Sequence, residues 1–426
     1  MVFKIAAATL LALGLAMPAV AEITAIRAGR VITDAAQPAR GASTILVENG
    51  RIIAINDAAA ALPAGAVVVD LSGKTVMPGL IDAHVHLTGT PDSQFWQEAV
   101  TTDEYSVAVG LANAATTLRA GFTTVRDLGS GRLSGFAVRD AIANGIATGP
   151  RTLVSGPAIS IIGGHGDVSG YRPEVNAALA MGNTCTGAEQ CAARVREASR
   201  AGVDVIKITA TGGVLSQQAR GLGQHFTDVE MRAIVTTAHG LGLKVAAHAH
   251  GARGIEAAAN AGVDSIEHGT FADAAAIQAM VNNKTWYVPT LMAMVGIEER
   301  LGKGTYTPVV EAKVRETLAQ RGKALAAAIK AGVRIAYGTD SAVYAHGRNG
   351  EEAAQMVKYA GMSPRAVLVS ATSGAAELLG VAAETGTLAV GKSADLIAVD
   401  GDPFADVSVV EKPRFVMAKG KAVALQ

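Results

Sequence analysis

The sequence has few of the features that would assign it to several common functional classes. Lys+Arg and Asp+Glu both number 37, so the formal net charge is zero. No basic tract is interleaved with aromatic residues, which argues against nucleic-acid binding. The two cysteines, Cys185 and Cys191, lack the spacing of a zinc-binding motif, and they could form a disulfide or remain free thiols. After the N-terminal segment, no run is apolar and long enough to cross a bilayer.

The first 21 residues differ from the rest of the chain. Lys4 precedes an apolar run that ends at Met17, and Pro18-Ala19-Val20-Ala21 has the pattern of a cleavage site. We therefore predict a signal peptide over residues 1–21, export to the periplasm or the medium, and no membrane attachment after cleavage. A buried N-terminal helix is the alternative. The remaining chain is half hydrophobic and long enough for one large core and a smaller lobe.

The pattern along the mature chain changes twice. Residues 22–76 contain short alternating strands, and residues 386–426 return to the same pattern, which predicts one small β-sandwich lobe built from both chain ends. Between them, residues 77–385 alternate alanine-rich helices, a glycine and an apolar strand, as at Ala201-Gly202-Val203. Eight strands, ending near His86, Asp127, Ser155, Ile208, His248, His268, Thr290 and Asp340, predict an α/β fold with a TIM-like (β/α)8 barrel. A doubly wound open sheet is the alternative, but no G-x-G-x-x-G motif follows the early strands.

Most of the nine histidines fall where βα loops would build an active site. His84 and His86 are two residues apart at a strand end, so their side chains share a face and could bind one metal ion. Two unrelated polar residues would give the same pattern. Only His239 lies on a predicted helix. The others lie at strand ends or in the loops after them: His84, His86, His165, His225, His248, His250, His268 and His346.

Two further charged residues fall at predicted strand ends. Lys207 lies in the apolar strand Val205-Ile206-Lys207-Ile208, where a bare ammonium is costly. A salt bridge with Asp340 or Glu267 would explain it, and spacing alone favours that reading. Reaction with CO2 would instead give a carbamate, an anionic ligand that can bridge two metals. Asp340 could bind a metal and accept a proton from its water, or it could be a helix N-cap.

Together these residues resemble the amidohydrolase superfamily over essentially the whole mature chain. The similarity includes Met77-Pro78-Gly79-Leu80-Ile81-Asp82, Ile266-Glu267-His268-Gly269-Thr270 and Gly338-Thr339-Asp340-Ser341. The chain is most similar to the subgroup of Xaa-Pro dipeptidases, carboxypeptidase-like enzymes and ochratoxin-hydrolysing enzymes. The resemblance implies two divalent metal ions, expected to be zinc, and a carbamate on Lys207. It implies that the ligands are His84, His86, Lys207, His248, His268 and Asp340.

The resemblance also implies an activity: hydrolysis, by a metal-activated hydroxide, of an amide bond next to a free carboxylate. The substrate would be a dipeptide, a C-terminal amino acid or an N-acyl amino acid such as ochratoxin A. Asp340 would transfer the proton, and His250 would stabilise the oxyanion. His165, Arg172 and Arg220 are the candidates for binding the substrate carboxylate. Hydrolysis of a cyclic amide or lactone, or an exported solute-binding protein without catalysis, are the alternatives. Family members are often octamers, so a homo-oligomer is expected.

Overall fold

The computed structural model describes residues 22–91, 95–217 and 221–425. The predicted signal peptide and Arg220 lie outside these residues. The architecture is mixed α/β. Within the described ranges, no helix combines the length and the apolar composition needed to span a membrane.

The strands and α-helices of the described residues follow one another along the chain. The strands are β1 (Thr24–Val31), β2 (Ser43–Glu48), β3 (Arg51–Asp57), β4 (Val67–Pro78), β5 (Leu80–Val85), β6 (Phe122–Asp127), β7 (Arg151–Val154), β8 (Val205–Thr209), β9 (Lys244–Ala249), β10 (Ser265–His268), β11 (Trp286–Val288), β12 (Leu396–Val399), β13 (Phe415–Ala418) and β14 (Lys421–Ala422). The helices are α1 (Asp103–Arg119), α2 (Ser134–Ala143), α3 (Pro173–Leu179), α4 (Ala188–Ala201), α5 (Asp228–Gly240), α6 (Ala252–Ala261), α7 (Ala274–Asn282), α8 (Leu291–Arg300), α9 (Pro308–Leu318), α10 (Lys323–Lys330), α11 (Glu351–Ala360), α12 (Pro364–Val369) and α13 (Ala375–Leu379).

Strands from both chain ends meet in one seven-stranded sheet with the order β14-β13-β12-β4-β1-β2-β3. The link between the two ends is the antiparallel pair β4 and β12, in which Pro78 lies opposite Leu396. Side chains such as Ile26, Ile45 and Met417 are buried in a separate apolar cluster on this sheet. Both chain ends are therefore needed to build this small hydrophobic core.

The middle of the chain forms two parallel sheets with the orders β5-β6-β7 and β8-β9-β10-β11. Helices connect successive strands, which is what parallel pairing requires. A single parallel bridge between Ile159 and Ile208 joins the two sheets on one side. On the other side, residues 333–341 lie between β11 and β5, with bridges at Ile335 and Ser341.

The eighth predicted strand is not a continuous strand in the structure. Its residues hydrogen-bond to both neighbours, since Ala336 N donates to Tyr287 O at 3.0 Å and Ala83 N donates to Tyr337 O at 2.8 Å. However, Asp340 has a φ of 61°, which ends the extended conformation just where the strand was expected to end. The segment therefore keeps the position of a strand but not a regular ladder.

The apolar stretch that leads to the predicted strand end near His86 is divided at Gly79, between β4 and β5. Pro78 ends β4, since it has no amide hydrogen for further pairing. A Cβ on Gly79 would lie 2.2 Å from Oγ1 of Thr123, so only glycine lets the chain pass so close to β6. At this break the chain leaves the seven-stranded sheet, which contains β4, and enters the parallel sheet that begins with β5.

Two local predictions are settled by the structure. Gly202 and Gly262 adopt the left-handed conformation at the ends of α4 and α6, as the helix–glycine–strand pattern predicts. Cys185 and Cys191 form a disulfide that closes a short loop before α4. Of the two alternatives for the cysteines, the disulfide is therefore the one present.

Candidate metal centre

All six predicted metal ligands line one cavity of about 500 Å³. Five of them lie at, or close to, the carboxyl end of a parallel strand or of the 333–341 segment, whereas Lys207 lies in the middle of β8. Carboxyl ends of parallel strands face the same side of a sheet, so side chains distant in sequence converge there. The predicted ligands are His84, His86, Lys207, His248, His268 and Asp340.

His84, His86 and Asp340 form the first group of donors, here called the His84 cluster. Asp340 Oδ1 lies 3.5 Å from His84 Nε2 and 3.2 Å from His86 Nε2. Ligands at about 2.1 Å from a tetrahedral zinc ion are separated by about 3.4 Å. These two separations match the spacing between ligands of one zinc ion, and the three donor atoms all lie within 4.8 Å of one another.

Hydrogen bonds on the opposite nitrogens orient both histidines of this cluster. His84 Nδ1 donates to Glu267 Oε2 at 2.8 Å, and His86 Nδ1 donates to the Gly129 carbonyl oxygen at 2.9 Å. A carboxylate and a carbonyl can only accept, so Nδ1 of each ring carries a proton and Nε2 is the nitrogen that faces Asp340. This is the arrangement that metal-binding histidines require.

The second group, here called the His268 cluster, contains His248, His250 and His268. One ring nitrogen from each residue lies within 4.8 Å of the others. His268 Nδ1 is hydrogen-bonded to Thr290 Oγ1 at 2.7 Å, whereas His248 uses Nε2, which donates to the Gly212 carbonyl oxygen at 3.3 Å. The nitrogen left to bind a metal is therefore Nδ1 in His248 and Nε2 in His268.

His250 belongs to the same cluster by position. Its ring stacks on His268 with centroids 4.9 Å apart, and its Nδ1 is hydrogen-bonded to Thr270 Oγ1 at 2.8 Å. Both His248 and His250 could therefore reach an ion held by this cluster. The assignment of His248 as the ligand, with His250 facing the substrate, stays a prediction.

Lys207 lies beside the His84 cluster, and the two clusters touch. Its Nζ is 3.4 Å from His84 Nε2, and the rings of His84 and His268 are 4.9 Å apart at their centroids. Burial lowers the pKa of Lys207 to about 8. Among the described residues, Lys207 makes no ion pair with Asp340 or Glu267, because Asp340 faces the histidines and Glu267 pairs with Arg126. The predicted alternative of a salt-bridged lysine is therefore not the arrangement found.

The environment keeps the imidazoles of four of these histidines neutral and Asp340 ionised, whereas His86 differs. Burial lowers the pKa of His86, but the hydrogen bond and the charge of Asp340 outweigh it and raise that pKa above its usual value. Burial lowers the pKa of His84 and of His250 to about 4, and it holds the pKa of His248 and His268 well below the usual value. Burial raises the pKa of Asp340, but the hydrogen bond from His86 and the nearby histidines outweigh it and hold that pKa well below its ordinary range. Neutral imidazole and ionised carboxylate are the protonation states that bind a metal.

The backbone at this site is strained. His268, Thr290 and Asp340 have φ angles of 70°, 50° and 61°, although none of them is glycine. Each such conformation costs about 1–3 kcal/mol and tends to be kept where it serves a function. Asp340 does not lie at the start of a helix, so the predicted N-cap alternative does not apply. The strain instead turns its carboxylate toward the histidines.

The residues predicted to bind substrate have different positions. His165 lines the cavity, with its ring 4.3 Å from that of His248 and its Nδ1 hydrogen-bonded to Ser216 Oγ at 2.6 Å. Arg172 is exposed at the start of α3 and is not among the residues that line the cavity. Arg220 lies outside the described residues. His225 and His346 are also absent from the described cavity wall.

Several residues that shape the site are not singled out as functional by the sequence patterns. Asp82 is fully buried and accepts hydrogen bonds from the backbone amides of His84 and Thr339, at 3.1 Å each, so it joins the two segments that carry the His84 cluster. Burial raises the pKa of Asp82 to about 7. Glu98 and Asp167 give the outer cavity wall two carboxylates. The sequence signal for Asp82 was its place in the Met77-to-Asp82 motif, whereas nothing local marks Glu98.

Comparison with known proteins identifies the family. A sequence model described as the amidohydrolase family matches residues 75–423. The chain belongs to the amidohydrolase family. It is 33% identical over 415 residues to the ochratoxinase of Aspergillus niger, covering 93% of this chain and 85% of that protein. The crystal structure of the A. niger ochratoxinase matches with a TM-score of 0.83 and 29% identity, covering 94% of this chain and 95% of that one.

A second solved amidohydrolase-like structure is also similar. A Xaa-Pro dipeptidase with methionine bound in its active site matches with a TM-score of 0.86 and 35% identity, covering 94% of this chain and 99% of that one. The resemblance drawn from the sequence is confirmed, and the chain is a hydrolase that acts on amide bonds. The alternative of a solute-binding protein without catalysis is therefore wrong.

Proposed function

We propose that this amidohydrolase cleaves the amide bond that precedes a free carboxylate, in a dipeptide, a peptide C-terminus or an N-acyl amino acid such as ochratoxin A. We propose that it does so with two divalent metal ions. The observation that carries the proposal is the pair of adjoining donor clusters in one cavity, with Lys207 3.4 Å from the first of them.

The donor chemistry supports zinc as the metal. Imidazole nitrogens with a carboxylate are typical zinc ligands, and the spacing within the His84 cluster fits tetrahedral geometry. His84, His86 and Asp340 would hold one ion, and His248 and His268 the other. When bound, such a metal pair polarises the scissile carbonyl and brings the pKa of a water molecule toward neutrality.

Lys207 would serve as the ligand between the two ions after conversion to a carbamate. Its burial, at 4% exposure, favours the neutral amine, which can add to CO2 and release a proton. The product is an anion with two oxygen atoms that can bind metal ions. An ammonium buried at the same place would be costly and would bind a divalent cation poorly. The lack of a carboxylate partner for Lys207 among the described residues supports this role.

The chain's own side chains supply the proton transfers. Asp340 is ionised and faces the cavity, so it can accept the proton of the attacking water and pass it to the leaving nitrogen. His250 is neutral, and with Thr270 bonded to its Nδ1 it can donate from Nε2 to the oxygen that develops negative charge. The apolar wall, with Leu128, Met294 and Ile297, would limit water around the reacting amide.

The substrate class follows from charge and from the relatives. Two divalent ions leave excess positive charge after Asp340 and the Lys207 carbamate are counted, which favours an anionic group beside the scissile amide. Free methionine bound in the Xaa-Pro dipeptidase structure and the ochratoxinase name of the other relative agree with this class. With Arg172 away from the cavity, His165 and Arg220 remain the predicted contacts for the substrate carboxylate, and of these two His165 lines the cavity.

The predictions about the barrel, the β lobe, export and oligomerisation are part of the same proposal. We propose that the two parallel sheets and residues 333–341 form a closed (β/α)8 barrel, supported by the bridges at Ile159, Ile335 and Ser341. Residues 22–76 and 386–426 would form the accompanying β lobe. Export after loss of residues 1–21 and assembly into a homo-oligomer complete the proposal.

The test combines metal analysis with a substrate panel. Purified protein should contain two zinc ions per chain, and removing them with a chelator should abolish hydrolysis until zinc is returned. Release of the amino acid should be measured from Xaa-Pro and Xaa-Phe dipeptides and from ochratoxin A, beside a cyclic amide and a lactone. Hydrolysis of the cyclic compounds alone would contradict the proposal and favour the cyclic-substrate alternative.

A further inference from the structure

A buried ion pair lies directly behind the His84 cluster. Arg126 and Glu267 are 1% and 0% exposed, and Nη2 of Arg126 lies 3.0 Å from Oε1 of Glu267. The other carboxylate oxygen, Oε2, accepts the Nδ1 proton of His84 at 2.8 Å. Neither residue is a predicted metal ligand, but Glu267 is hydrogen-bonded directly to His84, which is one.

The same guanidinium also holds the backbone that carries His84. Arg126 Nε donates to the carbonyl oxygen of Ala83 at 2.7 Å, and Ser265 Oγ donates to Glu267 Oε1. Arg126 therefore fixes the backbone immediately before His84, while Glu267 fixes the ring of His84. The contacts join β5, β6 and β10 across the buried interior.

From this geometry we infer that Arg126 and Glu267 are positioning residues for the metal centre, with Arg126 orienting Glu267 and Glu267 fixing the tautomer and ring direction of His84. The inference rests on the metal site of the proposed function. A purely structural ion pair would not need to direct its second carboxylate oxygen to a ligand histidine. A buried charge pair is in any case a poor source of stability compared with apolar side chains.

Glu267→Gln gives a sharp test because glutamine has the same shape but one acceptor oxygen. If that oxygen faces His84, the amide NH2 points at the Arg126 guanidinium, and two donors oppose each other. If the NH2 faces His84, it donates to Nδ1 and the imidazole proton moves to Nε2, the atom that should bind the metal. Both arrangements weaken zinc binding.

Asp395→Asn is the matched control. Asp395 is a buried carboxylate, 2% exposed, whose Oδ2 lies 3.3 Å from Nη2 of Arg151. Arg151 begins β7, so this pair lies at the strand end opposite the cavity. The control variant loses a buried carboxylate charge paired with the partly exposed Arg151, without touching a predicted metal ligand.

The experiment measures zinc affinity of the folded proteins by competition with a chromophoric chelator, with circular dichroism as the check of folding. Glu267→Gln should bind zinc roughly 10- to 100-fold more weakly than the wild type, the usual effect of losing such a partner. Asp395→Asn should stay within about twofold of the wild type. Adding Arg126→Met to Glu267→Gln should weaken binding by less than Arg126→Met does alone, because part of the effect of Arg126 passes through Glu267 and part through the Ala83 carbonyl.

Four outcomes would count against the inference. Equal zinc affinity of Glu267→Gln and Asp395→Asn would overturn it while leaving the proposed function intact. Losses in the double variant that equal the sum of the two single-variant losses would overturn the role of Arg126 in orienting Glu267. A wild-type protein that binds no zinc would overturn both the inference and the proposed metal centre. If Glu267→Gln does not fold, Ser265→Ala, which removes one donor to Glu267, replaces it, and unchanged zinc affinity in that variant would refute the inference.

Discussion

Lys207→Met separates the role of Lys207 in binding metal from any role in folding. Methionine keeps most of the length and volume of the lysine side chain but cannot form a carbamate. The structure gives Lys207 no ion pair with the described carboxylates and places its Nζ 3.4 Å from His84 Nε2. The substitution should therefore remove a ligand without opening a large cavity.

The expected effect on stability has a definite sign. Burial lowers the pKa of Lys207 from 10.5 to about 8, which corresponds to a cost of about 3 kcal/mol for burying the charged amine in the metal-free protein. That cost is fully present below about pH 8 and disappears as the pH rises through 10.5, because only the charged form is penalised. Metal-free Lys207→Met should thus be as stable as the wild type or more stable at pH 7, and the difference should shrink at higher pH.

The expected effect on function is opposite. Loss of the bridging ligand should reduce bound zinc from two ions per chain to one or none. Because loss of an outer hydrogen-bond partner alone costs roughly 10- to 100-fold, loss of a direct ligand should lower kcat/KM by more than about 100-fold. Zinc content is measured by elemental analysis, hydrolysis by amino-acid release, and stability by urea unfolding of metal-free protein.

Lys244→Met is the matched control. Lys244 begins β9 at the end opposite the cavity, and its Nζ donates to the carbonyl oxygens of Glu377 and Leu378. This variant should keep two zinc ions and wild-type hydrolysis. Two zinc ions and full activity in Lys207→Met would refute the carbamate role, and a marked loss of metal-free stability at pH 7 would show that Lys207 serves the fold instead.

Three further predictions follow from the described contacts. Gly213→Ala would place a Cβ 2.3 Å from two ring atoms of His165, so it should displace that ring and raise KM about tenfold while zinc content stays unchanged. The control is Gly240→Ala, where the added Cβ meets nothing within 4 Å. Equal KM values for the two variants would contradict the role of His165. Cys185→Ser should lower the free energy of unfolding by about 2 kcal/mol, as expected for a short disulfide loop, and no change in urea unfolding would argue that the bond does not form. Burial raises the pKa of Glu352 well above its usual value, so wild-type stability relative to Glu352→Gln should be greatest below about pH 4.5 and fall as the pH rises; a difference independent of pH would contradict this.

The sequence predicted that these side chains come together in one cavity, because their positions depend on local periodicity. An apolar strand followed by His84 and His86, or by His268, fixes which face and which end of the strand the side chains occupy. Parallel strands then bring these ends together without any further information. The metal clusters are therefore a consequence of strand order, which the helix–glycine–strand pattern already indicates.

Contacts between distant strands were not predictable in the same way. Glu267 was considered as a partner for Lys207, but the structure pairs it with Arg126 and His84, which depends on the packing of three strands. Arg172 lies in a long loop, where local sequence does not determine direction, and the structure places it outside the cavity. The left-handed backbone of Asp340 likewise follows from tertiary contacts, since its sequence alone predicts a strand end or a helix cap.

The central claim is tested most directly by a crystal structure of the zinc-loaded protein with anomalous diffraction at the zinc edge. Two anomalous peaks should appear, one ligated by His84, His86 and Asp340 and the other by His248 and His268, with electron density for a carbamate on Lys207 reaching both. A single peak, no peak in this cavity, or an unmodified Lys207 would contradict the account.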